Sequence, residues 1–295
     1  MHISWSDLQL VVAVADTGSL SGAARSLRVT QPTVSRRLAE LEAGLGEALF
    51  TRAVDGTTAT SFGERVLEPI RRMAEHAAEV GRAAADVDPG PRGVVRVSAA
   101  PGMAYSFVAP FAAYLRTQLP EVRLEVVSTV RYVDLVRREA DLAIRWQSTA
   151  RVDAPRDLQV IASVEHPVGA FATAAYAATL RRGYTAADVA WIAWCAPLDQ
   201  LPPNPQLAAR IPGFVPGFAS DDFLIQLRAA EASVGAIVLN KVRYRLAPPS
   251  ALVALKVDLR APAARTQLVA ARSALAIPRI AAVAELLARE LKTTR

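Results

Sequence analysis

Three histidines and one cysteine are the side chains of this sequence best suited to catalysis or metal binding. His2, His76 and His166 are far apart, and Cys195 lies in an apolar stretch where a buried, unreactive thiol is the usual arrangement. Their spacing fits neither a metal site nor a nucleophile with its base, and Gly-Pro-Arg-Gly at 90–93 lacks the pattern of a phosphate-binding loop. We therefore expect no enzyme activity, no cofactor and no metal.

A polar helix face at residues 31–40 is the second group of side chains whose types and spacing matter chemically. Thr30 is suited to cap this helix, and Pro32 falls in its first turn, where the missing N–H costs nothing. Apolar residues at i, i+4, i+7 and i+11 predict one buried face, made of Val34, Leu38, Leu41 and Leu45. The opposite, outward face carries Gln31, Thr33, Arg36, Arg37 and Glu40.

Charge is distributed unevenly along the chain, which has a formal net charge of +6 and a pI of about 9.9. Residues 1–87 hold nine Arg, no Lys and eleven acidic residues, whereas the rest holds 25 basic and 17 acidic residues. The overall basicity therefore does not mark the polar helix face. Within residues 19–52, five Arg outnumber three Glu, a modest excess that phosphate contacts could use.

Two shorter helices and a hairpin are predicted around this face. Ser6 is suited to cap a helix over 8–15 that stops at Gly18, with Gln9 three residues after the cap. Ser19 is suited to cap a second helix over 20–27, and a tight turn follows at 28–30. Residues 49–52 with a turn at Asp55-Gly56 predict a small β-hairpin wing.

A long helix is predicted from Thr60 onward. Its apolar residues alternate at spacings of four and three: Val66, Ile70, Met73, Ala77, Val80, Ala84 and Val87. Such a seam favours pairing with the same helix of a second chain, and the alternative is a helix packed on its own domain. Asp-Pro-Gly-Pro at 88–91 ends the helix and marks a hinge.

The remaining residues predict alternating strands and helices. Strands at 94–100, 122–127 and 142–146 with helices at 104–118 and 133–140 give a βαβαβ order, which predicts a parallel sheet with right-handed crossovers. Later elements are a helix at 223–232, strands at 236–239 and 267–271, and a closing helix from Pro278 with Ile280, Val283, Leu287 and Leu291 on one face.

A soluble, cytoplasmic protein is expected from several features. Hydrophobic residues make up 52% of the chain and charged ones 21%, as in packed globular proteins. The single cysteine excludes an internal disulfide, and the start MHISWSDLQL lacks the pattern of a signal peptide. The longest uncharged apolar stretch, 166–180, is too short to span a bilayer.

The segment LQLVVAVADTGSLSGAARSLRVTQPTVSRRLAELEAGLGEALFTR, residues 8–52, closely resembles the DNA-binding domain of LysR-type transcriptional regulators. Thr60 and Gly63 resemble the start of that family's linker helix, and VDLVRREADLAIR (133–145) and AEASVGAIVL (230–239) resemble its effector domain. The resemblance implies a multidomain fold: an all-α winged helix-turn-helix at 1–60, a dimerising linker helix and hinge at 61–90, and an α/β effector domain at 91–295. The effector domain is expected to have two subdomains like those of periplasmic binding proteins, I at 91–162 and 266–295 and II at 163–265.

The resemblance implies that the helix from residue 31 lies in the major groove of DNA. Gln31, Thr33 and Arg36 are then nearest to base edges, and Pro32 meets a thymine methyl group. Phosphate contacts are expected from Ser21, Arg28, Ser35, Arg37 and Arg52. A merely solvated face is the alternative for Arg36 and Arg37, and Arg52 could instead pair with an acid of its own domain. Because the wing at 53–58 has no basic residue, we expect weaker nonspecific affinity for DNA than a fully basic wing would give.

A small effector is implied in the cleft between the two subdomains. Loops at the carboxyl ends of parallel strands converge there, and helix N-termini favour an anionic ligand. Gly102 and Thr173 depart from the family pattern, so a different mode of effector binding, or none, stays open. Arg131 is either a carboxylate anchor or an exposed arginine, and Arg145 is expected in a structural ion pair. The candidate wall residues are Ala100, Pro101, Gly102, Ser128, Thr129, Arg131, Phe171, Thr173, Ser220 and Asp221.

The implied function is effector-controlled, sequence-specific binding to double-stranded promoter DNA by a homodimer or homotetramer, with RNA polymerase as a further partner. Dimerisation is expected through Val66, Ile70, Met73, Ala77 and Val80. A cytosolic small-molecule-binding protein without DNA function is the alternative, and the helix-turn-helix pattern counts against it.

Overall fold

The computed structural model describes residues 3–53, 56–84, 90–147, 156–247, 249–259 and 263–293, with the backbone alone for 52–53, 75–76, 78–84 and 147. The chain divides into two compact units, Met1–Pro89 and Gly90–Arg295. The predicted wing turn at Asp55 and the end of the linker at 85–89 lie outside the described residues. No helix in the described ranges combines the length and the apolar character needed to cross a bilayer.

The first unit consists of helices with a small antiparallel hairpin. Its helices α1, α2 and α3 are followed by strands β1 and β2 and by the long helix α4. Ser19 and Thr30 cap α2 and α3 as predicted, since their side chains accept hydrogen bonds from Gly22 N and Thr33 N. The bounds are α1 (Trp5–Thr17), α2 (Leu20–Leu27), α3 (Gln31–Leu45), β1 (Phe50–Ala53), β2 (Gly56–Ala59) and α4 (Ser61–Ala84).

The cap of α1 is Ser4 and not Ser6, so this part of the sequence prediction was wrong. The Ser4 hydroxyl accepts a hydrogen bond from Asp7 N, and the Asp7 carboxylate accepts one from Ser4 N at 3.2 Å. This reciprocal capping box satisfies two backbone donors at once, whereas a Ser6 cap with Gln9 would begin the helix two residues later.

The core of the first unit fixes the orientation of α3. Val34 and Leu38 are fully buried and Leu41 is 8% exposed, so the apolar face predicted for this helix is confirmed. They pack with buried side chains of α1, α2, the wing and α4, among them Leu10, Val11, Val14, Ala23, Leu49, Phe50, Leu67 and Ile70. Because the inner face of α3 is held in this way, its opposite face must point outward.

Helix α4 has two different segments along its predicted apolar seam. Ile70 is 3% exposed inside the core of its own unit, and Val66 packs partly against the same core. The assignment of Ile70 to a seam between two chains is therefore wrong, and that of Val66 is weakened. Met73 is 49% exposed and Ala77 is exposed, whereas the side chain of Val80 lies outside the described residues. A spacing of four and three residues serves both kinds of packing, so the pattern could not separate them.

Gly63 allows α4 to start directly against the wing. A Cβ atom at Gly63 would lie 2.0 Å from the carbonyl oxygen of Leu49, a distance no side chain can adopt. The Thr60 hydroxyl donates to Ala48 O at 2.7 Å and accepts from Gly63 N at 2.9 Å, which fixes the start of the helix. Glycine is thus required here by close approach to a neighbouring backbone.

The second unit is an α/β structure with two main sheets. Its helical elements are α5 (Pro101–Met103), which continues through a π-helical turn (Ala104–Val108) into α6 (Ala109–Gln118), then α7 (Ala174–Thr179), α8 (Asn204–Ala208), α9 (Phe223–Glu231) and α10 (Pro278–Lys292). Its strands are β3 (Gly93–Ala99), β4 (Val122–Ser128), β5 (Leu142–Gln147), β6 (Leu158–His166), β7 (Val168–Thr173), β8 (Ile192–Ala193), β9 (Phe218–Ala219), β10 (Ile237–Asn240), β11 (Leu252–Ala254) and β12 (Ala264–Ala271).

The first of these sheets, which we call sheet I, is mixed. Its strand order is β4-β3-β5-β12-β6, with β3 parallel to β4 and β5 as predicted. Strand β12 runs antiparallel to both β5 and β6, so the expectation of a parallel sheet holds for three strands only. Helix α10 covers it with Ile280, Val283, Leu287 and Leu291, each fully buried as the sequence predicts.

The helix predicted at 133–140 is absent, and turns take its place. The Asp134 carboxylate accepts from Val136 N at 2.9 Å and from Arg137 N at 3.0 Å, as an N-cap does, so a helical turn begins here but does not continue. Arg138 then adopts φ 61°, which a continuing right-handed helix does not allow.

The second sheet, sheet II, has the order β10-β7-β11, and all its pairs are antiparallel. The chain passes from sheet I to sheet II at Pro167, between β6 and β7, and returns between β11 and β12. The predicted limits of subdomain II, 163 and 265, lie within a few residues of these two crossings. Strands β8 and β9 form a separate parallel pair beside sheet II.

Candidate DNA-contacting surface and ligand cavity

The outward face of α3 presents the polar groups that the sequence predicts there. Gln31 and Pro32 are exposed, and Thr33 and Ser35 are half-buried. The Arg36 side chain is 70% exposed, and its Nη1 atom lies 3.2 Å from Glu40 Oε1 on the next turn. An exposed pair of this kind contributes little to stability, so it leaves the guanidinium free to change partners.

Arg37 has a structural partner in α1, while its phosphate contact stays a prediction. Its Nε atom lies 3.2 Å from Asp7 Oδ1, and its Nη2 atom donates to Ser6 Oγ at 2.8 Å. The hydrogen bond from the Ser4 hydroxyl, together with Arg37, lowers the pKa of Asp7. The ion pair ties α3 to the start of α1 and so orients the face that carries Arg36.

Two further contacts fix the wing against the helices, and sequence reasoning missed both. Glu42 Oε1 accepts hydrogen bonds from Leu49 N at 2.7 Å and Phe50 N at 3.1 Å, which holds the start of β1 on the last turns of α3. Thr57 N donates to the carbonyl oxygen of Gly18 at 2.8 Å, which holds β2 at the end of α1. A Glu on the side of a helix gives no signal of such a role, since its partners are backbone groups several residues away.

The other predicted DNA contacts lie around α2 and the wing. Ser21 is exposed in the first turn of α2, and Arg28 is exposed at its C-cap with φ 55°. The side chain of Arg52 lies outside the described residues. Ser21, Arg28 and the outer face of α3 therefore remain accessible parts of the first unit.

A cavity of about 960 Å³ lies in the second unit between sheet I and sheet II. Five of the predicted wall residues line it, all of them following β3 or β4: Ala100, Pro101, Gly102, Thr129 and Arg131. Ser128, Phe171, Thr173, Ser220 and Asp221 do not line it, so half of the predicted wall is wrong.

The misplaced residues serve other purposes in the structure. Thr173 caps α7, and its hydroxyl lies 2.6 Å from Ser233 Oγ. Ser220 is buried before α9, where its hydroxyl accepts from Asp222 N at 3.0 Å. Phe171 packs in the apolar cluster of sheet II. The rule that carboxyl ends of strands form a binding edge applies to parallel strands, and β7 is antiparallel to both of its neighbours.

Aromatic side chains are the main feature of the cavity that sequence reasoning missed. Trp146 belongs to β5, parallel to β3, so the same edge rule that selected Ala100 and Thr129 could have found it. Trp194 and Phe223 lie in segments with no such signal. The aromatic lining residues are Tyr105, Tyr132, Trp146, Trp194, Phe223 and Tyr244.

The wall around Trp194 is held by buried hydrogen bonds. Asn204 Oδ1 accepts from Trp194 N at 3.1 Å, and Asn204 Nδ2 donates to Trp194 O at 2.8 Å. The indole Nε1 donates to Pro202 O at 2.9 Å. A buried amide with all these bonds satisfied fixes the loop in place, so this wall is preformed.

Gly102 is explained by its neighbour across the cavity. A Cβ atom at Gly102 would lie 3.1 Å from Cζ of Phe223, closer than a packed side chain normally comes. The ring of Phe223 therefore covers the start of α5, at the position where the sequence departs from the family pattern.

Arg145 lines the cavity and forms no direct ion pair within the described ranges, although Asp134 attracts it and acts to raise its pKa. The predicted structural ion pair is thus replaced by this weaker attraction. Its guanidinium carbon lies 5.0 Å from the centre of the Tyr132 ring, and its Nη2 atom donates to Val133 O at 2.7 Å. The Nε atom is buried without a hydrogen-bond partner. Burial lowers the pKa of this group from its usual value, so the site holds a partly desolvated cation.

A buried histidine lies behind the cavity, where the chain crosses between the sheets. The ring of His166 is 6% exposed, packs edge-on against Tyr244 with centroids 6.1 Å apart, and has an Nε2 atom without a partner. Burial lowers the pKa of His166 below its ordinary 6.5 and raises the pKa of Tyr244 to about 12. The folded protein thus keeps this imidazole neutral.

The second unit is expected to lose stability as the pH falls below about 6.5, because the unfolded chain then binds a proton that folded His166 refuses. The loss ends once the pH passes the lowered pKa of the folded state. His166→Phe keeps the ring contact and removes the proton site, so its stability should depend less on pH in this window. Urea unfolding followed by tryptophan fluorescence at several pH values measures both proteins, and parallel curves would contradict the prediction.

Comparisons with known proteins agree with this architecture. Residues 5–64 match the family described as "Bacterial regulatory helix-turn-helix protein, lysR family", and residues 88–292 match "LysR substrate binding domain". The Mau operon transcriptional activator of Paracoccus denitrificans is 36% identical over 144 residues, 48% of this chain and 50% of that protein. The regulator CrgA of Neisseria meningitidis serogroup C is 31% identical over 145 residues, 49% of this chain and 48% of that protein. The chain thus aligns with about half the length of these curated relatives.

Solved structures share the fold over nearly the whole chain. Full-length CbnR complexed with its target DNA has a TM-score of 0.59 at 16% identity, covering 97% of this chain and 99% of that one. A probable transcriptional regulator from Pseudomonas aeruginosa has a TM-score of 0.62 at 16% identity, covering 97% and 96%. Together with two family models that span the helix-turn-helix unit and the two-sheet unit, these findings show that the chain belongs to the LysR family of bacterial regulatory helix-turn-helix proteins.

Proposed function

We propose that this protein is a sequence-specific DNA-binding transcription regulator controlled by a small molecule in the cavity between sheets I and II. The observation that carries the proposal is the outward face of α3, where Gln31, Pro32 and Arg36 are exposed while Val34 and Leu38 hold the helix from behind. A helix so mounted fits the major groove and offers amide and guanidinium donors to base edges.

Promoter DNA requires a paired protein when its two half-sites are related by symmetry. We assign the pairing to the part of α4 that begins at Met73, where Met73 and Ala77 are exposed, in a homodimer or a tetramer built from dimers. RNA polymerase is the further partner that such a regulator would touch or block. With these partners the protein acts in the cytoplasm.

The cavity gives a route for control. A ligand can shift the equilibrium between two arrangements of the subunits only by the difference between its affinities for them. The cavity lies between two sheets that are joined by two crossings of the chain. A ligand that contacts both sheets therefore favours an arrangement in which sheets I and II lie closer together. The result would be altered DNA bending or altered contact with polymerase.

A gel-shift experiment with DNA from upstream of the protein's own coding sequence tests the DNA-binding function. Retardation of this DNA in the presence of excess unrelated DNA is the expected result. If the protein binds the upstream DNA no better than the unrelated DNA and still binds a ligand in the cavity, it is a small-molecule carrier without DNA function.

Arg36→Ala is expected to reduce discrimination between operator and random DNA by about 1–3 kcal/mol, because a bidentate contact to a base edge is lost. Arg36→Lys is the matched control: it keeps the charge for phosphates but not the planar fork, so it should lose nearly as much discrimination. Fluorescence anisotropy with both DNAs measures the ratio. Equal weakening on both DNAs would reassign Arg36 to the phosphate backbone.

A further inference from the structure

The charges that line the cavity are unbalanced. Arg131, Arg145 and Arg243 all line it, and none of them has an ion pair within the described part of the chain. The only carboxylate among the described lining residues, Glu231, lies 3.3 Å from Arg228 Nη1 and is thus already engaged. The lining of the cavity therefore carries more positive than negative charge, which favours an anionic group in whatever enters it.

Arg145 is the member of this group that lies deepest. Arg131 and Arg243 are exposed at the mouth, where water screens them, whereas Arg145 is half-buried against Tyr132 and Val133. A half-buried cation that the carboxylate of Asp134 attracts without forming a direct ion pair is incompletely compensated, and its unpartnered Nε atom adds to the cost. A single carboxylate placed at this guanidinium would offset both.

The rest of the cavity is mostly apolar, with a few polar side chains such as Ser98, Gln206 and Asn240. Beside the six aromatic residues, its aliphatic lining includes Leu201, Pro202 and Leu207 near the segment fixed by Trp194 and Asn204, and Leu259 after β11. About 960 Å³ is large enough for a drug-sized molecule and far larger than acetate or another short acid needs. The body of the ligand must therefore be hydrophobic and extended.

We propose that the ligand is an amphipathic organic monocarboxylate, its carboxylate at Arg145 and its acyl or aryl body among the aromatic and aliphatic walls. The proposal rests on the proposed function in one respect, that this cavity holds the effector. It differs from an anion bound at the start of α5, because the ring of Phe223 contacts Gly102 there.

Titration of the full-length protein with carboxylates of increasing length tests the proposal, with tryptophan fluorescence as readout because Trp146 and Trp194 line the cavity. Affinity should rise about threefold to fourfold for each added methylene from butyrate to decanoate, as expected for burial of apolar surface. Decanoate and 4-phenylbutyrate have equal carbon counts, so the tighter of the two identifies an acyl or an aryl body. Decanamide should bind at least about tenfold more weakly than decanoate, since it lacks the charge.

Substitutions locate the two ends of the ligand. Arg145→Gln should weaken decanoate at least about tenfold and leave decanamide unchanged, whereas Arg116→Gln, an exposed arginine on α6 outside the cavity, should change neither. Leu201→Trp narrows the aliphatic wall and should shorten the best-binding chain. If Arg145→Gln does not fold, Leu201→Trp still tests whether the ligand body lies along this wall.

Three results would overturn the proposal: decanamide binding as tightly as decanoate, succinate binding more tightly than decanoate, or no carboxylate of the series binding at all. If the protein still retards its own upstream DNA in those cases, the proposed regulatory function stands and only the ligand class fails. Carboxylate binding that depends on Arg145, in a protein that retards no DNA, would support the ligand class and remove the regulatory function.

Discussion

Leu38→Ala is expected to lower the free energy of unfolding of the first unit by about 2–5 kcal/mol. Leu38 is fully buried in the middle of α3, and its side chain contacts a core shared by α1, α2, the wing and α4. Removing it leaves a cavity in a unit of fewer than ninety residues, whose total stability is only a few times larger. Specific DNA binding should fall with it, because α3 loses the packing that orients its outward face.

Hydrogen exchange measured by mass spectrometry separates this local effect from general damage. Peptides from α1, α2 and α3 should lose protection in Leu38→Ala, while peptides from sheet I keep theirs. Leu45→Ala is the matched control on the same helix, since Leu45 is only partly buried and should cost clearly less. If both variants lost equal hydrogen-exchange protection, the buried face of α3 would not be what holds the outward face of this helix in place.

Local features of the first unit could be predicted well from the sequence. The buried face of α3 follows from a 3.6-residue period, and the caps at Ser19 and Thr30 follow from side chains that bond within three residues. The pairing of Arg37 with Asp7 could not be predicted in this way, because thirty residues separate them and only the packing of α3 against α1 brings them together. From the sequence alone, a charged residue on a helix face can be assigned only to solvent or to phosphate. An ion pair with a distant helix can be recognised only once the tertiary structure is known.

The cavity shows the same limit in the second unit. Residues after β3 and β4 were found because parallel strands end at one edge, whereas Phe171 and Thr173 were misplaced because β7 pairs antiparallel. The predicted helix at 133–140 failed because Arg138 adopts a left-handed backbone conformation that ends it after one turn, which hydrophobic spacing does not record. A lone arginine after an apolar strand usually has a carboxylate partner, and only the structure reveals that Arg145 contacts Tyr132 and Val133 O instead of forming a direct ion pair.

Met73→Asp is expected to convert the proposed dimer to monomers and to reduce affinity for a two-half-site operator by about 10²–10⁴-fold. Met73 is 49% exposed on α4, one turn beyond the last residue that packs on its own core, and in a symmetric pair each helix would present it to the other. Aspartate would bury an unpaired carboxylate in that contact from both sides. Sedimentation measures the mass, and Met73→Leu, which keeps the apolar contact, should remain dimeric.

Ile70 provides the comparison that makes this result interpretable. Because Ile70 is 3% exposed within its own unit, Ile70→Asp should unfold that unit whether or not α4 pairs with a second chain. Met73→Asp should instead keep the hydrogen-exchange protection of α1 and α3, so the two variants lose DNA binding for different reasons. An unchanged sedimenting mass for Met73→Asp would contradict the prediction. The apolar seam along α4 would then serve only the core of its own unit, and the pairing surface would have to lie elsewhere.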